Sequence, residues 1–199
     1  MAIILENSMF VHIPKTGGRW VERQLLAHVQ GARWSGDPIY DAHDSPDYDG
    51  AVFCFVREPA TFVNSLWHHR IRSKKNSRGT AWNWQEYLEL ERVCQSRDWQ
   101  QWMKNCARCT GGVEAYYDYY VGKYTNLHQG RTEHLAQDLV DLLEQFGETY
   151  DRDAILAASN DVVGSSIKSR RSNELLSLEQ RVAINSANRT ISLRHGYPL

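Results

Sequence analysis

Residues 10–20 read FVHIPKTGGRW. An apolar, strand-forming run passes through a proline into Lys15, Thr16, Gly17 and Gly18, and then Val21, Leu25, Leu26 and Val29 recur at helical spacing. Glycines allow close approach of a ligand to the backbone. A helix that starts at Gly17 or Gly18 also turns its first unpaired N–H groups and its positive dipole end toward that turn. A turn of this kind suits an anion, to which Lys15 adds a mobile positive charge and Thr16 a hydroxyl donor. The pattern GxxxxGK[ST] is not followed, because there Lys comes after the last glycine and here Lys15 precedes both.

Working outward, residues 8–13 (SMFVHI) and 51–56 (AVFCFV) are short continuous apolar runs, each followed by a turn signal and a helical pattern. Runs of this kind read as parallel strands buried on both faces. Helices are expected over 18–29 and over 60–72, the latter just after Pro59, a residue suited to a helix start. The intervening GARWSGDPIYDAHDSPDYDG reads as loop by composition. Further helices are expected over 83–95, 97–106, 113–122, 133–146 and 177–194, with a third strand near 125–131. Residues 73–80 (SKKNSRGT) and 164–174 (GSSIKSRRSNE) read as basic loops, the first of them expected to be mobile. Trp99 and Trp102, with Trp82 and Trp84, are expected to pack within the helical region. Trp82, Trp84, Tyr116, Tyr117, Tyr119 and Tyr120 are either core or rings on which a sugar stacks.

Composition narrows the function. A chain of 199 residues with 42% hydrophobic content can bury a full core. Its net charge of -1 argues against bulk binding to nucleic acid or an anionic membrane surface, so any cluster of basic residues is local. The chain has no apolar run long enough to span a membrane and no signal-peptide pattern at its start, and a cytoplasmic protein is expected. The four cysteines are too few for a disulfide scaffold. NCARCTGG lacks the second ligand pair of a zinc finger, which leaves reduced thiols or one local bridge, and no metal is expected.

Arg57 stands at the carboxyl end of the second run, and Ser65 lies eight residues on, about two helical turns. Ligands of open α/β sheets bind at strand carboxyl ends, so Lys15 and Arg57 are expected at neighbouring mouths, facing a ligand with two phosphates.

IPKTGGRW resembles the 5′-phosphosulfate loop of sulfotransferases that use 3′-phosphoadenosine 5′-phosphosulfate (PAPS), whose carbohydrate members show PKTGGT. VREPATFVNS resembles their 3′-phosphate motif, an Arg after a strand with a Ser eight residues later. The resemblance implies a P-loop nucleotide-hydrolase-like α/β fold, a parallel sheet flanked by helices, in a single domain over 1–199. It implies that Lys15, Thr16, Gly17 and Gly18 hold the 5′-phosphosulfate, with Lys15 stabilising the leaving oxygen, and that Arg57 and Ser65 hold the 3′-phosphate. Trp20 matches a Trp that stacks on adenine, and core packing is its other reading. RTEHLAQDLVDLLEQFG resembles the end of the family's third core strand and the following helix. Lys168, Arg170 and Arg171 fall in a segment that resembles the late basic loop closing over the cofactor, or else form a solvated loop. Arg19 departs from the family pattern, which has Thr or Ser there. A guanidinium can fork onto phosphate or sulfate oxygens, or it can turn outward.

Sulfuryl transfer requires a base for the acceptor's hydroxyl proton, and a His titrating near neutral pH suits that role. His43 in DAHDSP is the candidate, and capping of a turn beside Asp41 and Asp44 is its other reading. Glu22 or Asp44 are the other candidate bases. His12 is expected as a buried, hydrogen-bonded ring, and His68 and His69 are expected to face an acceptor groove or solvent. The expected activity is therefore transfer of a sulfuryl group from PAPS to a hydroxyl of a glycan, lipid or small molecule. The alternatives are an ATP-dependent kinase on a related scaffold and a non-catalytic nucleotide-binding module. The kinase requires a magnesium-binding acid after the second strand, where Arg57 stands.

Overall fold

The computed structural model describes residues 2–36, 46–72, 88–160 and 175–199. They divide into two compact units, Met1–Arg57 with Tyr120–Gly164 and Glu58–Tyr119 with Ser165–Leu199.

The first unit is built on a five-stranded sheet formed by β1 (Ala2–Ile4), β2 (Ser8–Val11), β3 (Arg33–Trp34), β4 (Ala51–Val56) and β5 (Leu127–Arg131), in the order β3-β1-β2-β4-β5. β2, β4 and β5 are parallel, with Phe10 opposite Phe53 and Val56 opposite Arg131. The sheet is mixed, not wholly parallel as the sequence suggested, because β1 runs antiparallel to both β2 and β3. A tight turn makes that reversal possible, with the Leu5 N–H donating to the Ser8 carbonyl at 2.9 Å. Glu148 fixes the turn by accepting from Ser8 Oγ at 2.6 Å and from the Asn7 N–H at 3.1 Å.

Three helices of this unit supply apolar stripes: α1 (Gly18–His28), α6 (Leu135–Gln145) and α7 (Arg152–Ala157). Ile3, Phe10, Phe53 and Phe55 of the sheet share one core cluster with Trp20, Val21 and Leu25 of α1, Leu139, Val140 and Leu143 of α6 and Ile155 of α7. The Phe10 and Phe53 rings lie 5.4 Å apart. Gly130 of β5 makes room for the third ring, since a Cβ there would stand 2.6 Å from Phe55 Cε1. The alternate residues Val52, Cys54 and Val56 are buried as well, which accounts for the unbroken apolar run of β4.

The second unit is helical and carries α2 (Pro59–Arg72), α3 (Glu89–Cys94), α4 (Trp99–Cys106), most of α5 (Gly112–Val121), α8 (Leu178–Ala187) and α9 (Arg189–His195). Trp99 and Trp102 pack with their polar ends satisfied, Trp99 Nε1 donating to Asn64 Oδ1 and Trp102 Nε1 to the Val63 carbonyl, both at 3.0 Å. Phe62 meets Tyr116 and Tyr117 edge-on at 5.0 and 5.1 Å, and both tyrosines are buried. Arg70 forks onto both oxygens of the fully buried Glu91. Glu58, also buried, accepts from Arg181 Nε and from Asn185 Nδ2, joining the start of α2 to α8. The single helix expected over 177–194 is two helices, broken at Asn188. Its Oδ1 accepts from the Val113 N–H at 2.8 Å, a tertiary bond that holds its backbone off the helical path. Trp82 and Trp84 lie outside the described residues.

Candidate functional site

The chain leaves β2 through His12, Ile13 and Pro14 into a turn of uncommon backbone. Lys15 has φ 72°, the single non-glycine residue with positive φ among those described, and Gly17 has φ 82°. Thr16 and Gly18 are not in that region, so the sign of φ alternates along 15–18. Alternation of this kind turns successive N–H groups into a concave nest that receives anions. α1 begins at Gly18 with Gly17 as its N-cap, and the N–H groups of Trp20 and Val21 donate to the Gly17 carbonyl. That leaves the N–H groups of Gly18 and Arg19, which precede the first of these bonds, at the open end of the helix, as helix geometry requires.

Holding Lys15 in the left-handed region costs about 1–2 kcal/mol, and the surrounding bonds offset that strain. Thr16 Oγ1 donates to the Ile13 carbonyl at 2.8 Å. Its one hydroxyl proton is therefore committed inside the turn, not offered outward as the sequence suggested. Thr132, next after β5, places its Oγ1 2.9 Å from both the Thr16 and the Val56 carbonyls. Arg57 Nη1 donates to the Lys15 carbonyl at 3.4 Å. The carbonyls of residues 13 and 15 thus accept from protein donors, and those of residues 16 and 56 share the single hydroxyl proton of Thr132. One threonine ties together the carboxyl ends of the three parallel strands.

Lys15 and Arg57 meet at the mouths of the adjacent strands β2 and β4. The third parallel strand also ends on a cation, Arg131, whose backbone N–H and Nε donate to Asp138 Oδ2 at 2.7 and 3.2 Å. Sequence reading passed over Arg131 and Thr132. The signal for them was the position of RT directly after the third strand.

The two glycines serve different ends. Gly17 takes up a conformation that side chains resist, and an added Cβ would stand 2.7 Å from Leu135 Cδ1. Gly18 has ordinary φ, but a Cβ there would collide with the His12 ring, which lies across the first turn of α1. His12 Nδ1 is 2.5 Å from Glu22 Oε1, one turn along the same helix face, and both side chains are largely buried. A His and a carboxylate are therefore coupled at the edge of the nest, a pairing that the separate readings of His12 and Glu22 had not joined.

The remaining expected site residues divide. Arg19 is exposed on the first turn of α1. Trp20 is only 5% exposed and its Nε1 donates to the Ala158 carbonyl at 3.1 Å, so its ring has a packing role in its own right. Ser65 lies on α2, in the second unit, and is buried. His68 is buried there too, whereas His69 is exposed. His43, Asp44, Lys168, Arg170 and Arg171 lie outside the described residues. Among the described residues no group of three or more His, Cys, Asp or Glu is placed to hold a metal ion, and no helix is long and apolar enough to cross a membrane.

No protein-family model, curated protein or solved structure matches the chain.

Proposed function

We propose that the first unit binds PAPS and that the protein transfers its sulfuryl group to a hydroxyl acceptor, either a glycan, a lipid or a small molecule. The observation that carries this reading is the turn at 15–18. It combines alternating φ at a helix N-terminus with Arg57 reaching the Lys15 carbonyl from the next strand. Two cations at adjacent strand ends suit a ligand with anionic groups at two places, as PAPS has. When bound, PAPS supplies the activated sulfuryl group.

In this reading the N–H groups at the start of α1 hold the 5′ end, and Lys15 Nζ stabilises negative charge on the oxygen that leaves. Arg57 holds the 3′-phosphate. His43 is the proposed base that takes the acceptor's proton. Catalysis then rests on positioning and on a fixed positive field, which the nest provides without reorganisation.

The test is a titration with adenosine 3′,5′-bisphosphate, AMP and ATP, followed by thermal melting. The bisphosphate is expected to stabilise most, by about 2.7 kcal/mol at one hundred times its dissociation constant. Equal stabilisation by AMP and the bisphosphate would sink the assignment, and stabilisation chiefly by ATP would move it to the kinase reading.

A further inference from the structure

Three of the four cysteines converge in the second unit. Cys94 ends α3, Cys106 ends α4, and Cys109 lies in the turn before α5. The Cys94 thiol is hydrogen-bonded to both Cys106 and Cys109, and all three are free thiols. The backbone fixes the arrangement. Asn105 Nδ2 donates to the Cys94 carbonyl at 3.3 Å, and the Cys109 N–H donates to the Cys106 carbonyl at 3.2 Å. Cys109 Sγ is also pressed against Gly112, where an added Cβ would stand 2.5 Å from the sulfur.

Access differs among the three. Cys94 and Cys106 are buried and Cys109 is half-buried. Cys109 also lines a shallow cavity of about 190 Å³ with Val93, Asn105 and Arg108. A reagent from solvent therefore meets Cys109 before the buried Cys94, its hydrogen-bond partner. The exposed Arg108 gives the cavity a cationic rim suited to a carboxylate-bearing reagent.

We propose that Cys109 and Cys94 form a redox-sensitive pair that closes to a disulfide by exchange with glutathione disulfide. Cys109 gives up its proton, and its sulfur attacks one sulfur of the oxidant. This forms a mixed disulfide and releases one glutathione thiolate, which takes a proton. Cys94 then loses its proton and attacks the Cys109 sulfur, expelling the second glutathione. Two protein thiols are oxidised to one disulfide and one glutathione disulfide is reduced to two thiols, so electrons and atoms balance.

The groups around Cys109 are Cys94 and Glu89 of α3, Cys106 of α4 and the adjoining Arg108. The hydrogen bond with Cys94, followed by burial, holds the Cys109 thiol above its usual range. Exchange is therefore slow at neutral pH and quickens about tenfold per pH unit while the thiolate is the minor form. Cys54 provides an internal reference, because burial within β4 pushes its thiol up to about 12 and no cysteine of the trio shares its unit.

The experiment holds the full chain in glutathione buffers of rising oxidised fraction at pH 7 to 9, alkylates the remaining thiols and digests with trypsin. Cuts after Arg92, Arg97, Lys104, Arg108 and Lys123 leave Cys94, Cys106 and Cys109 on separate peptides. The expected product is a Cys94–Cys109 cross-linked pair with Cys54 and Cys106 alkylated. Its formation should raise the melting temperature by about 5 °C or more and be reversed by reductant. Cys109→Ser should abolish the cross-link and Cys106→Ser should retain it. Mapping the unaltered protein decides even if a variant folds poorly. A Cys94–Cys106 bridge, a persistent glutathione adduct on Cys109, or four unreacted thiols at pH 9 overturns the proposal.

Discussion

Gly18→Ala offers a sharp test of how the anion nest is built, because the obstacle to the new methyl group is one named side chain. Gly18 has ordinary φ, so the substitution should carry no backbone strain, yet the Cβ runs into the His12 ring. Overpacking of this kind costs about 1–3 kcal/mol, and for a chain of this size each kcal/mol lowers the melting temperature by about 2–4 °C. With His12→Ala in place the obstacle is gone. The same Gly18→Ala change should then be neutral or stabilising by a few tenths of a kcal/mol, through the lower chain entropy of alanine. The coupling between the two substitutions should thus be about 1–3 kcal/mol, and the cycle subtracts whatever His12→Ala itself costs by leaving Glu22 without its imidazole. Gly17→Ala is the control. Its cost arises largely from φ 82°, at about 1–2 kcal/mol, and should be the same in both backgrounds. Thermal melting of the single and double variants supplies every term. A Gly18→Ala cost that does not depend on residue 12 would refute the reasoning.

Two further predictions concern the proposed chemistry. Arg57→Ala should weaken adenosine 3′,5′-bisphosphate binding by about 1.5–3 kcal/mol, roughly 10- to 150-fold by calorimetry, whereas Lys15→Ala should also lower kcat; a Lys15 variant altered only in KM would remove its transition-state role. His43→Ala should leave bisphosphate affinity nearly intact yet lower turnover on a true acceptor by about 10²–10⁴ and abolish the acidic limb of the pH profile; near-normal turnover would move the base to Glu22, Asp44 or His12, of which Glu22 and His12 are paired with each other.

What the sequence disclosed follows from how many signals each element carried. β2 and β4 were legible because residues 9–11 and 52–56 are buried on both sides and so form unbroken apolar runs. The turn between β2 and α1 was legible from its glycines, although their purposes were only half visible. The collision between Gly18 and the His12 ring is a tertiary fact. β1 and β3 escaped notice because three and two residues are too few to show a period. The break at Asn188 was hidden for a similar reason, since its cause is a backbone N–H seventy-five residues away in sequence. Thr132 could not be assigned from sequence. Its role depends on the Thr16 and Val56 carbonyls converging on one hydroxyl, and only the parallel pairing of the strands brings them together. Cys94 was likewise read apart from Cys106 and Cys109, whose close spacing drew attention to themselves.

The sheet order also bears on how the protein avoids growing into fibres. An open sheet ends in two rows of backbone donors and acceptors that can recruit a strand from another molecule. Among the described residues one border strand, β3, is two residues long, and the other, β5, reads LHQGR, with a glycine, a histidine and a cation where an adhesive strand would carry branched apolar residues. The strongly apolar segments AVFCFV and SMFV, the most amyloid-like of the sheet, occupy its interior positions, where neighbours on both sides already take up their ladder bonds. A substitution such as Gln129→Val on β5 would remove a polar safeguard from the border, together with the bond between its side chain and Cys54, and it should lower the yield of soluble protein after heating.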